Sequence, residues 1–157
     1  MELILQKELV HQQKAIETVC DALDGVAISA PAQFYENPKI NLAMPRLAEN
    51  IRNLQSSIPV EYRSNSTIGH CLNLDIKMET GTGKTYVYTK TMFELHKRYG
   101  LNKFIIAVPS LAIKAGTSQF LKDAYVRRHF TDVCGYGTDI EVGVLEASKK
   151  KKGRQYF

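Results

Sequence analysis

Residues 75–90 read DIKMETGTGKTYVYTK, and this stretch decides the fold. Its centre, TGTGKT, has the chemistry of a phosphate-binding loop placed between a strand and a helix. Gly81 and Gly83 let the backbone turn its N–H groups inward around phosphate oxygens. The Lys84 ammonium can reach the outer phosphates, and the Thr85 hydroxyl can bind Mg²⁺. The motif therefore predicts a nucleotide site that also holds a magnesium ion.

One position departs from the full pattern G-x-x-x-x-G-K-[ST], because Met78 stands where the first glycine is expected. The phosphate cradle is formed by residues 80–85, so we still expect phosphate binding. The alternative is a glycine-rich turn between a strand and a helix that carries a surface lysine.

The segments around the loop alternate between strand and helix patterns. Apolar and polar residues alternate before the loop, an amphipathic helix follows it, and a β-branched apolar run ends at a proline. This order predicts an α/β fold with a doubly wound parallel sheet. The predicted elements are a strand at 71–78, a helix at 85–100, a strand at 103–110, a helix at 117–130 capped by Thr117 or Ser118, and a strand at 139–145.

A helical segment is predicted before this sheet. Residues 7–24 and 44–55 have the apolar spacing of amphipathic helices, while residues 29–42 have turn chemistry and two prolines. We therefore divide the chain into an N-terminal helical segment over 1–70 and a nucleotide-binding domain over 71–157.

Composition excludes several classes of protein. The 157 residues are 44% hydrophobic and 24% charged, which is ordinary for a globular protein. No apolar run approaches the ~20 residues of a membrane span, and the N-terminus lacks the pattern of a signal peptide. The three cysteines are far apart and fit a reducing compartment. We expect a cytoplasmic protein with no membrane partner.

The net charge of +5 is unevenly placed. Residues 1–75 carry 6 Lys/Arg and 9 Asp/Glu, whereas residues 76–157 carry 15 Lys/Arg and 7 Asp/Glu. A basic half joined to a phosphate loop suggests a polyanionic partner such as nucleic acid. The alternative is a set of solvated lysines on helix faces, which is the simpler interpretation of the run Lys149–Lys152.

Three motifs together resemble a known family. The ETGTGKT loop and the later FIIAVPSLAIKAG run are similar to motifs I and Ia of superfamily 2 helicase-like motors, and most similar to the Res subunits of Type III restriction enzymes. The HQQKAIETV stretch resembles the Q-motif helix, in which a glutamine, here Gln12, contacts adenine. The resemblance implies a RecA-like P-loop NTPase fold, with a parallel sheet flanked by helices that is incomplete in these residues.

The resemblance also implies roles for particular residues. Lys84 and Thr85 would be catalytic residues, and Thr85 would also be a ligand of the metal ion. The cofactors would be ATP and Mg²⁺. The implied nucleotide ligands are Gln12, Glu79, Thr80, Gly81, Thr82, Gly83, Lys84, Thr85 and Tyr86. The implied contacts to the DNA backbone are Pro109, Ser110, Lys114 and Gly116. The open alternatives are a solvent-facing Gln12, a packing role for Tyr86, and a capping role for the residues of motif Ia.

In this family the motor is an ATP-dependent endonuclease subunit that acts on double-stranded DNA with a methyltransferase (modification) subunit. Hydrolysis needs an Asp-Glu-x-His motif, and no Asp-Glu pair occurs in the sequence. Glu146, at the end of an apolar run, is a weak substitute. The chain is therefore expected to be the opening segment of such a motor and to bind nucleotide without turnover. Two alternatives remain: another P-loop enzyme, such as a small kinase, and a non-catalytic module that binds DNA or a partner.

Overall fold

The computed structural model describes Leu5 and residues 9–33, 35–63 and 70–145. Over these residues the chain is a helix-rich α/β structure; Glu146 and Lys149–Lys152 lie outside the described residues. Its helices are α1 (Val10–Ala22), α2 (Pro45–Ser56), α3 (Lys84–Tyr99), α4 (Leu111–Lys122) and α5 (Ala124–Arg128), with a 3₁₀ turn at Val60–Tyr62 and a π-helical turn at His129–Val133. Its two strands are β1 (Ile28–Ser29) and β2 (Lys39–Ile40).

The parallel sheet is not confirmed. In the described part of the chain, the sheet is one antiparallel pair, with Ile28 opposite Ile40, and all of it except Ile28 lies in the segment 29–42 that was predicted to be a loop. No strand is formed over 71–78, 103–110 or 139–145. A strand needs a neighbouring backbone about 4.8 Å away to accept its hydrogen bonds, and an apolar pattern does not supply that neighbour. The last two segments instead line a shared cavity of about 820 Å³.

The helices agree with prediction except after motif Ia. The observed α1, α2 and α3 fall within one to three residues of the predicted ends, and α3 stops at Gly100 with φ +69°. The helix predicted at 117–130 is wrong in its start and its continuity. Ser110 caps α4, because its Oγ accepts a hydrogen bond from the Ile113 N–H at 3.3 Å. Asp123 then interrupts the helix and caps α5 in the same way.

Helix α1 packs directly on α3, and α2 packs on α1. Ile16 and Cys20 of α1 form a buried cluster with Val87 of α3, and the Tyr99 hydroxyl donates to the Cys20 carbonyl at 2.7 Å. Burial raises the pKa of the Cys20 thiol to about 11, so it remains a neutral core group. A second cluster joins Leu23, Val26, Leu47 and Ile51 to Leu72, Leu74, Leu95 and Tyr99. Both clusters therefore contain residues from either side of the predicted boundary at residue 70.

An aromatic cluster holds the π-helical turn against α3. The Phe93 ring stacks between Phe130 and Tyr136, with centroid distances of 5.1 and 4.9 Å. Tyr86 lies 5.2 Å from Phe130, and Phe130 is only 1% exposed. Aromatic rings at these distances stabilise the fold by more than the free energy of burying their surface alone. The start of α3, which follows the glycine loop, is therefore held in place by this aromatic cluster as well as by α1.

We expect Glu94→Gln to destabilise the fold at neutral pH. Glu94 accepts hydrogen bonds from the Tyr136 hydroxyl at 2.6 Å and from Arg98 Nε at 2.9 Å. Burial alone would raise the pKa of Glu94, but these two donors outweigh burial and hold the pKa below its usual value. At pH 7 the variant should lose about 1 kcal/mol of unfolding free energy.

The pH dependence provides the check. Because the folded-state pKa is depressed, the stabilisation by Glu94 is complete above the unfolded-state pKa of about 4.3 and disappears as the pH falls through the folded-state value. The unfolding free energies of the two proteins, measured with urea across this pH range, should therefore converge in acid. A stability difference that stays constant from pH 7 into acid would contradict a role for the carboxylate charge.

Candidate nucleotide site at the start of helix α3

The loop before α3 has the backbone shape that its glycines predict. Gly81 and Gly83 have φ values of +83° and +86°, which residues other than glycine rarely adopt. Gly83 is the N-cap of α3, and among the described residues no side chain caps this helix and no acidic residue lies in its first turn. The first N–H groups of a helix lack partners inside the helix and carry partial positive charge. The start of α3 is therefore suited to an anion.

Two side chains of the loop fold back on the loop itself. The Thr82 hydroxyl donates to the Glu79 carbonyl at 2.7 Å, and Lys84 Nζ donates to the same carbonyl at 2.6 Å. Lys84 is otherwise exposed. Its ammonium therefore lies over the loop and can exchange the Glu79 carbonyl for a phosphate oxygen with a change of side-chain rotamer.

Helix α1 contacts the loop from the other side. Gln12 Nε2 donates to the Thr82 carbonyl at 3.0 Å, and His11 Nε2 donates to the same oxygen at 3.1 Å. Gln12 is only 7% exposed, which excludes the alternative interpretation that its side chain faces solvent. Its contact with adenine stays a prediction. His11 was not predicted to have a role, and its position next to Gln12 was the signal that could have indicated one.

The remaining predicted nucleotide ligands lie in different surroundings. Thr80 is exposed, and Thr85 is half-buried with its carbonyl accepting from the Thr89 hydroxyl at 2.7 Å. The Tyr86 ring lies in the aromatic cluster, where its hydroxyl is 3.1 Å from His129 Nε2 and burial raises its pKa. Any contact from Tyr86 to a nucleotide would therefore come from its backbone N–H.

The motif Ia residues surround the start of α4. Ser110 caps the helix, as described above, and Pro109 beside it is exposed. The Lys114 ammonium donates to the Leu145 carbonyl. Gly116 lies inside α4, where its N–H belongs to the helical pattern, so a contact from that N–H to DNA is not supported. The open space around Gly116 would still allow another chain to approach the backbone closely.

Other kinds of site are not formed by the described residues. Within the described ranges no group of three His, Cys, Asp or Glu side chains could hold a metal ion. The same residues contain no helix that is long and apolar enough to cross a membrane. The glycine loop with the start of α3, and separately the start of α4, are therefore the features of the described residues that carry a functional interpretation.

A glycine-rich loop that leads directly into a long helix, in a helix-rich α/β structure, is characteristic of phosphate-loop proteins, and the chain falls in this broad class. Residues 7–155 match the family described as "Type III restriction enzyme, res subunit". The chain belongs to that family.

Three relatives agree with this assignment. The chain is 38% identical over 152 residues to the Type III restriction-modification enzyme EcoPI Res subunit of Escherichia phage P1, and 37% identical over 153 residues to the EcoP15I Res subunit of Escherichia coli. It is 36% identical over 157 residues to the StyLTI Res subunit of Salmonella typhimurium. These alignments cover 92%, 92% and 98% of this chain but only 15%, 15% and 13% of the relatives.

Proposed function

We propose that this chain is the N-terminal part of an ATP-driven DNA translocase, the motor of a Type III restriction endonuclease subunit. The observation that carries the proposal is the start of α3: two glycines with positive φ, an uncapped helix terminus and a lysine poised over the loop. Membership of the Res family supports the DNA-directed part of the proposal.

The loop residues fit a nucleotide with its magnesium ion. The N–H groups of Gly81, Gly83 and Lys84 would receive phosphate oxygens, and the Lys84 ammonium would neutralise the outer phosphates. The Thr85 hydroxyl would bind Mg²⁺. A bound magnesium ion would neutralise part of the negative charge on the phosphate oxygens. The remaining contacts to the nucleotide would come from Glu79, Thr80, Thr82 and the Tyr86 N–H. Gln12 would contact the adenine base.

The DNA side of the proposal rests on motif Ia. Pro109 and Ser110 lie at the start of α4, and Lys114 is one turn inside it. A hydroxyl, an ammonium and an open Gly116 surface would contact the sugar–phosphate backbone, which carries no sequence information. Such contacts suit a motor that moves along double-stranded DNA.

The wider arrangement is proposed from the family. Residues 71–157 would belong to a RecA-like ATP-binding domain, preceded by the helical segment 1–70. Residues 71–78, 103–110 and 139–145 would become strands of a parallel sheet once further strands supply their hydrogen-bond partners. The protein would act in the cytoplasm with a methyltransferase (modification) subunit.

The test is ATP binding and hydrolysis with Mg²⁺, with and without duplex DNA and a modification subunit. Saturable Mg-ATP binding that competes with ADP is expected of the 157-residue chain, and DNA-stimulated hydrolysis is expected of a longer protein that includes an Asp-Glu-x-His motif. Turnover by these 157 residues alone would mean that another acid completes the site. DNA binding without any nucleotide binding would favour a non-catalytic module instead.

Lys114→Ala should weaken duplex binding about equally for all DNA sequences. The loss of one phosphate contact should also lower the slope of log affinity against log salt by about 1. Lys122→Ala removes the same charge from the other end of α4 and serves as the matched control. Fluorescence anisotropy with two unrelated duplexes at several salt concentrations measures both quantities. Equal losses for the two variants would assign the effect to net charge and remove Lys114 from the interface.

A further inference from the structure

A side-chain hydrogen bond joins the two helices that begin at the proposed nucleotide and DNA sites. The Tyr88 hydroxyl of α3 lies 3.0 Å from the Thr117 Oγ1 of α4. Thr117 is 9% exposed and Tyr88 is half-buried. The bond is therefore partly buried, and loss of either hydroxyl would leave the other without this partner.

The positions of the two residues along their helices are informative. Tyr88 is four residues after Lys84, which places both on the same face of α3, one turn apart. Thr117 is three residues after Lys114 and lies in the second turn of α4. The bond therefore joins the second turns of the two helices, about one turn beyond the residues that would meet phosphate and DNA.

We infer that Tyr88 and Thr117 are a pair of positioning residues that couples nucleotide binding at the start of α3 to DNA binding at the start of α4. This inference rests on the proposed function and extends it to residues outside the two motifs. A displacement of the start of α3 on nucleotide binding is transmitted through the Tyr88 side chain, one turn further along, to Thr117 of α4. A change in α4 caused by DNA returns to the loop by the same route, because coupling between two sites is reciprocal.

The measured quantity is the factor by which duplex DNA changes the affinity for a non-hydrolysable ATP analogue with Mg²⁺. Tyr88→Phe and Thr117→Val each remove one hydroxyl and nearly conserve shape. Each should reduce the coupling factor by about 3- to 10-fold, and the affinity for the analogue without DNA should change less than twofold. The double variant should be no worse than either single variant, because both changes break the same bond.

Thr91→Val is the matched control. It removes a buried hydroxyl from α3 that donates to the Val87 carbonyl inside the same helix, at 2.8 Å. This variant should keep the full coupling factor. If Thr91→Val lowers the factor as much as Tyr88→Phe does, or if the effects of Tyr88→Phe and Thr117→Val simply add, the coupling pair does not exist.

A second measurement separates this inference from the proposed function. A double-mutant cycle on unfolding free energy needs no nucleotide or DNA, and the singles should be non-additive there too. Non-additive stability with unchanged coupling factors would overturn the coupling role while the proposed function stands. If the unmodified protein binds both the analogue and DNA but its nucleotide affinity does not respond to DNA, the coupling role is overturned while the proposed function stands; loss of analogue binding itself would overturn the proposed function.

Discussion

Lys84→Ala should lower the affinity for Mg-ATP on the order of 10- to 100-fold. A hydrogen bond to a charged group contributes about 1.5–3 kcal/mol, and each 1.4 kcal/mol is a factor of ten in affinity. Among the described residues the exposed ammonium bonds a carbonyl of its own loop, at 2.6 Å, so removing it leaves no buried charge unpaired there. The fold should therefore remain nearly as stable as before, and the loss should appear in binding.

The control for this result is Lys77→Ala. Lys77 is exposed and lies seven residues before Lys84, so its removal changes the local charge by the same amount. Isothermal titration with Mg-ATP and with Mg-ADP compares the two variants. The proposed nucleotide site would have to be abandoned if both variants lost affinity equally, because the effect would then be one of charge alone.

The sequence was most informative where a local rule determines the structure. The two glycines of the loop, the start of α3 and its stop at Gly100 were all predicted, because each depends on backbone conformations that a few neighbouring residues control. The amphipathic helices α1 and α2 were found from their apolar spacing for the same reason. The packing of α1 on α3 and of α2 on α1 was not foreseen, since periodicity marks a buried face but does not identify the element that covers it.

The strand predictions show the opposite case. Residues 103–110 have an apolar, β-branched pattern, but Ile105 is 90% exposed and the segment has no ladder. Strand pairing depends on segments that are distant in sequence, and no local pattern supplies them. The capping residues were misjudged differently, because Ser110 and Thr117 are both acceptable N-caps. The structure uses Ser110 as the cap and places Thr117 inside α4, bonded to Tyr88.

For the site, the sequence predicted the kinds of residue but not their contacts. The role of Gln12 came from a motif, and its bond to the Thr82 carbonyl could not be predicted because 70 residues separate the two. His11 shares that carbonyl and was not predicted at all. The loop is therefore held by α1 as well as by its own glycines.

Gly83→Ala should disturb the loop more than Gly81→Ala, although both positions have nearly the same φ. An L-residue at either position adopts a left-handed conformation that costs roughly 1–2 kcal/mol. A Cβ at Gly81 meets nothing within 4 Å, whereas a Cβ at Gly83 would collide with Gln12 Nε2. Since the Gln12 amide is the end of a flexible side chain, it should swing away and lose its bond to Thr82, which adds about 0.5–1.5 kcal/mol.

The difference between the two variants therefore reports on Gln12 and not on backbone strain. In a Gln12→Ala background the collision is gone, so Gly83→Ala and Gly81→Ala should cost the same unfolding free energy. Chemical denaturation of the four glycine variants, with and without Gln12, and of the two parents gives the complete cycle. If the two glycine substitutions still differ in that background, the stability of the loop does not depend on the contact from α1, and the bond between Gln12 and Thr82 has no energetic role. Equal costs there, with unequal costs in the parent, would establish that α1 holds the nucleotide loop in shape before any phosphate arrives.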